Sequence, residues 1–182
     1  MFCDYTLVLL LLEVEGAKMI EVQDYIDVKR RAQDLNCNIP NLIAILPRNF
    51  ENAKTKEELV HEDSTATIRV LWKKEGIVET PIEEEGESIP FIVEKAFEWI
   101  GPLLLFTSTL ITQNPQLTDI SLGVVSNYLT DWFKGVRTSE KITKLDVVVE
   151  KRNGSYKKIH YEGSPEGLKE LPQIIRSIHD EQ

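Results

Sequence analysis

Residues 88–135, SIPFIVEKAFEWIGPLLLFTSTLITQNPQLTDISLGVVSNYLTDWFKG, form the most apolar part of the chain, and a strand-rich segment flanks them on each side. The stretch reads as the core helices of one domain. Ser88 can cap a helix whose first turn tolerates Pro90, and Glu83, Glu84, Glu85 and Glu87 precede its positive end, where carboxylates are favoured. Gly101-Pro102 should interrupt that helix. Asn114-Pro115 has the form of a cap with a first-turn proline, and Gly135 that of a C-terminal stop after Trp132 and Phe133. Two or three helical pieces are therefore expected rather than one rod.

The flanks supply the sheet. Residues 65–82, TATIRVLWKKEGIVETPI, alternate as a hairpin closed by Lys74-Glu75-Gly76, which sets Trp72 against Val78, Val70 against Thr80 and Ile68 against Ile82. Residues 145–161, LDVVVEKRNGSYKKIHY, repeat the device around Arg152-Asn153-Gly154. That register pairs Val147 with Ile159 and Leu145 with Tyr161, and on the opposite face Asp146 with His160 and Val148 with Lys158. Ser164-Pro165 then opens a helix with Leu168, Leu171, Ile175 and Ile178 on one face, its regular part kinked or delayed by Pro172. The pattern predicts an α+β fold, antiparallel β-hairpins in a ββα–ββα order with helices covering one face, over residues 65–182.

Residues 1–64 read as an N-terminal extension. The apolar run at 7–12 is preceded by Asp4 and followed by Glu13 and Glu15, which does not suit a signal peptide, and it falls short of the about 20 residues that span a bilayer. Residues 1–18 are expected to be a buried strand or, since Glu13-Val14-Glu15-Gly16 correspond to purine-rich codons of a ribosome-binding type, a leader upstream of a start at Met19. Val22, Ile26 and Leu35, with Tyr25 and Ala32, approximate one helical face and predict a helix over 19–36 that stops at Asn36-Cys37-Asn38. Pro47 limits residues 40–53 to short turns packed through Ile43, Leu46 and Phe50, and the polar residues 54–63 read as a surface connection.

The 182 residues are 42% hydrophobic and 28% charged, with a formal net charge of −9. That is the composition of a folded globular chain, and its acidity argues against nucleic acid, whose phosphates need clustered Lys and Arg. Cys3 and Cys37 are too few for a disulfide framework or a zinc site, and are expected to be free thiols in a cytoplasmic protein. His61, His160 and His179 are scattered with no metal-ligand spacing, and no phosphate-binding glycine loop occurs. Ser164 is explained as a helix cap rather than a nucleophile, and the Asp146–His160 pair as a surface contact on a solvated hairpin. No catalytic, cofactor or metal site is expected.

IRVLWKKEGIVETPI, the central apolar stretch ending NYLTDWFKG, the hairpin KLDVVVEKRNGSYKKIHYEG and the helix GLKELPQIIRSI together resemble the effector-associated constant component domains of bacterial conflict systems, from about residue 65 onward. The resemblance implies a non-enzymatic companion of a protease or other effector, and carries no functional residues with it. The expected role is thus a protein-interaction or adaptor domain in a bacterial defence system, partnered by another protein or by a second copy. Trp72, Trp99, Trp132 and Phe133 are the candidate interaction residues, being large apolar groups that a thin sheet with few helices would leave uncovered. The alternative is a membrane-acting component using the apolar helices 99–133.

Overall fold

The computed structural model describes residues 17–93, 99–135 and 141–181. The first strand, β1 (Ala17–Tyr25), leads into helix α1 (Val28–Asp34) and strand β2 (Ile43–Leu46). A two-residue strand β3 (His61–Glu62) precedes helix α2 (Ser64–Lys74), followed by β4 (Phe91–Ile92), β5 (Trp99–Ile100) and β6 (Leu103–Phe106). Helices α3 (Ser108–Gln113) and α4 (Pro115–Lys134) come next, then strands β7 (Thr143–Glu150) and β8 (Tyr156–Gly163), a 3₁₀ turn at Pro165–Glu170 and helix α5 (Leu171–Asp180). The class is α+β.

The main sheet runs β1-β8-β7-β6-β2, with β5 on the same edge of β7 as β6. Its β6–β7 and β5–β7 ladders are parallel and the others antiparallel. One face carries Leu145, Val147, Val149, Ile159 and Tyr161 into the larger core, where α2, α3, α4 and α5 pack. On the opposite face Ala44, Leu46, Leu103, Leu105 and Val148 meet α1 and Phe50 at one end. The rest of that face carries the half-buried polar residues of β7 and β8. β2 and β6 are buried on both faces, which is why their side chains form unbroken apolar runs.

The second hairpin has the expected register: Leu145 opposes Tyr161, Asp146 opposes His160, Val147 opposes Ile159 and Val148 opposes Lys158. Gly154 supplies the turn with φ +84°. Helix α4 begins at Pro115 and ends at Gly135, as Asn114-Pro115 and Gly135 suggested. Pro172 delays α5, whose approach is a 3₁₀ turn capped by Ser164 accepting from Gly167 N.

Elsewhere the structure corrects the sequence reading. Residues 64–74 are helix α2 and not a strand of a first hairpin. Ile77 N–H donates to Trp72 O and Gly76 N–H to Lys73 O, so Gly76, at φ +73°, closes a helix by a Schellman motif where a hairpin turn was expected. The helix expected over 19–36 is strand β1 followed by α1. Ile20 is buried against the sheet core, and the helix does stop at Asn36, which adopts φ 53°. Of the short turns expected at 40–53, residues 43–46 are β2. The supposed surface connection at 54–63 contains Leu59 and His61, both wholly buried.

Residues 99–100 and 103–106, read as helical, are strands, while the remainder of the helix expected to start at Ser88 includes residues 94–98, outside the described residues. The strand or leader expected at 1–18 also lies outside them, apart from Ala17 and Lys18, which begin β1. β1 pairs with β8 and β2 with β6, so residues on both sides of position 64 contribute to one sheet.

Candidate functional site

The aromatic residues expected at an interface are spent on the core. Trp72 is 1% exposed and donates its indole N–H to Ser121 O at 3.1 Å, and Phe133 is likewise 1% exposed. Trp99 is buried with its ring edge-on to Tyr128, and Trp132 is half-buried against Phe133. Tryptophans 72 and 99 and Phe133 therefore offer a partner no surface, because the six-stranded sheet and its helices enclose them.

A different surface is left open between α2 and α4. The core-facing stripe of α4 is Thr118, Ser121, Leu122, Val125, Ser126, Leu129 and Phe133. A second stripe, Ile120, Gly123, Val124, Asn127, Tyr128 and Asp131, repeats at three- and four-residue steps beside it and faces Leu71 and Glu75 of α2. The groove between them encloses about 440 Å³. Leu71, Val124 and Tyr128 pack partly into the core, whereas Ile120 is 44% exposed. A Cβ added at Gly123 would meet nothing within 4 Å among the described residues, so packing does not require the glycine there. Glu75 and Asp131 are the charged lining residues. Burial, with Asp63 nearby, pushes the Tyr128 phenol up.

A second concavity of about 200 Å³ lies on the partly covered sheet face, with Lys144, Asp146, Lys158 and His160 on its floor and Tyr25, Arg48, Glu51 and Glu62 around it. His160 Nδ1 donates to Asp146 Oδ1 at 2.6 Å. That bond, opposed by partial burial, raises the His160 pKa above its ordinary value. The expected contact is present, but in a cleft rather than on an open hairpin. Among the described residues, the lining contains no serine, threonine or cysteine to act as a nucleophile.

One further constellation was not visible in the sequence. Ser108 Oγ lies 3.0 Å from His179 Nε2, and His179 Nδ1 lies 3.0 Å from Asp180 Oδ1. Ser108 begins α3 and His179 ends α5, 71 residues apart, so only the packing of the two helix ends unites them. The order of contacts is that of a hydrolase triad, but its surroundings oppose acyl transfer. Ser108 N–H donates to Glu150 Oε2 at 3.0 Å, placing a buried carboxylate where acyl transfer needs donors for a developing oxyanion. Asp180 is exposed and shared with Arg152 at 2.8 Å. The cluster ties α3, α5 and the end of β7 together.

Cys37 is buried, and burial pushes its thiol up, which disfavours the nucleophilic thiolate. No group of acidic, histidine and cysteine side chains suited to a metal ion occurs among the described residues. No described helix is long and apolar enough to cross a membrane. No family model, curated protein or solved structure matches the chain.

Proposed function

We propose that this chain is a non-enzymatic protein-interaction module that engages its partner through the α2–α4 groove. The observation carrying the proposal is the second stripe of α4: a groove-lining strip with Ile120 44% exposed and open space over Gly123, which no described residue covers. The resemblance to effector-associated constant components supports an accessory role beside a bacterial effector in the cytoplasm. What supports it is the succession α4, β7, β8 and α5, although the strand pair sought in IRVLWKKEGIVETPI is α2. The membrane-acting alternative is not favoured, because Leu103–Phe106 are strand residues in the sheet and no described helix is long and apolar enough to cross a membrane.

The test is capture from native lysate with the full chain as bait, paired with light scattering on the purified protein. A stoichiometric partner or defined homo-oligomer, lost on Ile120→Lys, is the expected result. Ile120 is exposed enough for that change to spare the core. A lone monomer with no partner overturns the proposal.

A further inference from the structure

We infer that the α2–α4 groove takes an amphipathic helix bearing lysine or arginine beside its apolar face; this rests on the interaction-module reading and specifies the partner's chemistry. The length of the site comes first. Its α4 stripe extends from Ile120 to Asp131, about three helical turns, and Leu71 and Glu75 lie one turn apart on the facing wall. A helix laid along such a channel presents anchors at i, i+3, i+4 and i+7, the spacing that this stripe itself displays.

Gly123 is the second argument. A glycine inside a helix of 20 residues weakens it, and among the described residues nothing comes within 4 Å of the position its Cβ would take. The fold gains no packing from the missing side chain. A partner gains open space over the helix at Gly123, in the groove that Ile120, Val124 and Leu71 also line.

Charge chooses among occupants. Among the described residues, the lining has two carboxylates, Glu75 and Asp131, and no cation. Lys134 pairs with Asp131 at 2.7 Å, but both side chains are strongly exposed, so an incoming cation competes for that carboxylate in water. A second copy of this chain would bring the same carboxylates and its own net charge of −9 to the contact, and like charges facing each other are unfavourable. Anionic lipid headgroups meet the same repulsion. A basic amphipathic helix satisfies the apolar strip and both carboxylates together.

The probes are labelled synthetic helices of about 18 residues, long enough to cover the groove, read by fluorescence anisotropy against the full chain. One carries leucines on one face flanked by lysines, the second replaces each lysine with glutamate, and the third scrambles the lysine sequence. The lysine helix should bind at least tenfold more tightly than the other two and weaken with added salt. Gly123→Leu fills that space with a better helix former and should weaken binding at least tenfold with the fold intact. Glu75→Lys with Asp131→Lys should reverse the preference toward the glutamate helix. Equal binding of the lysine and glutamate helices, binding indifferent to Gly123→Leu, or no binding at all overturns the inference. If no helix binds but Gly123→Leu abolishes capture of the natural partner, the assigned partner chemistry is wrong and the interaction reading stands. If that variant also leaves capture unchanged, neither holds at this groove.

Discussion

Arg69 Nη1 donates to Glu83 Oε1 at 2.9 Å, a contact between residues 14 apart that joins α2 to the chain returning past β2. The same guanidinium reaches Glu79 through Nε at 2.8 Å, and Glu79 Oε1 accepts from Ile45 N at the sheet edge. His61 Nε2 donates to Glu83 Oε1 at 3.0 Å. Burial opposes ionisation of Glu83, but the hydrogen bonds from His61 and Arg69 outweigh it and hold its pKa down at about 2.

Acid should therefore unfold the protein partly through this residue. A carboxylate whose folded pKa is depressed contributes stability that is fully present above its unfolded value, about 4.3, and is lost as pH falls toward the folded value. For Glu83 the window is about pH 4.3 down to about 2, and the contribution is on the order of 3 kcal/mol. Urea unfolding at stepped pH should show this loss, and Glu83→Gln should flatten the pH dependence within the window. An unaltered slope in that variant would assign the acid sensitivity to other carboxylates.

Gly101→Ala should destabilise by about 1–3 kcal/mol, the usual cost of overpacking a filled core. An added Cβ would sit 2.5 Å from Trp99 Cζ3 and 2.6 Å from Leu145 Cδ1, both on buried side chains. Neither can withdraw freely: Trp99 is wedged beside Tyr128, and Leu145 is fixed on β7 between its partner strands. The denaturation midpoint measures the cost, and an unchanged midpoint would mean that the indole has room to turn aside.

The contrast between the two expected hairpins shows which parts of this fold the sequence encodes locally. In 145–161 the alternation, the Asn153-Gly154 turn and the pairing all agree, and the register is correct throughout. In 65–82 a similar alternation was misleading. Ile68, Val70 and Trp72 are two apart, but Ile68 and Trp72 are also four apart, and in the helix Val70 is turned out to 55% exposure. Gly76 sharpened the error, because a positive φ serves a helix stop and a hairpin loop equally. β2 and β6 were hidden for a different reason: strands buried on both faces do not alternate, and LIAIL and LLLF carry no period to separate strand from helix. The candidate site inherited these errors. With α2 read as a strand, Leu71 and Glu75 could not be placed beside α4, and Gly123 had no visible neighbour to leave uncovered.

Gly123→Ala should stabilise the protein by about 0.5–1 kcal/mol. The position lies within α4, and a methyl group there meets nothing within 4 Å. The gain in helix propensity is thus unopposed, in contrast to Gly101, where the same substitution collides with two side chains. Thermal melting of the two variants side by side should move the midpoint in opposite directions. A loss of stability at 123 would show that the groove floor is closed in solution.

Asp146→Asn should lower the His160 pKa, because the hydrogen bond to the Asp146 carboxylate is the main cause of its elevation. The sign for stability follows. A histidine raised on folding contributes stability that is fully present below its unfolded pKa, about 6.5, and loses it as pH rises through the folded value. The side chains are 30% and 36% exposed, so water screens the pair and its contribution should not exceed the about 0–1 kcal/mol typical of surface ion pairs. NMR titration of the His160 ring resonances isolates this group from the other two histidines. A drop in its pKa on Asp146→Asn, with a change in unfolding free energy of less than about 1 kcal/mol, is expected. A much larger destabilisation would mean that the pair helps hold β7 against β8, beyond setting the protonation state of the imidazole.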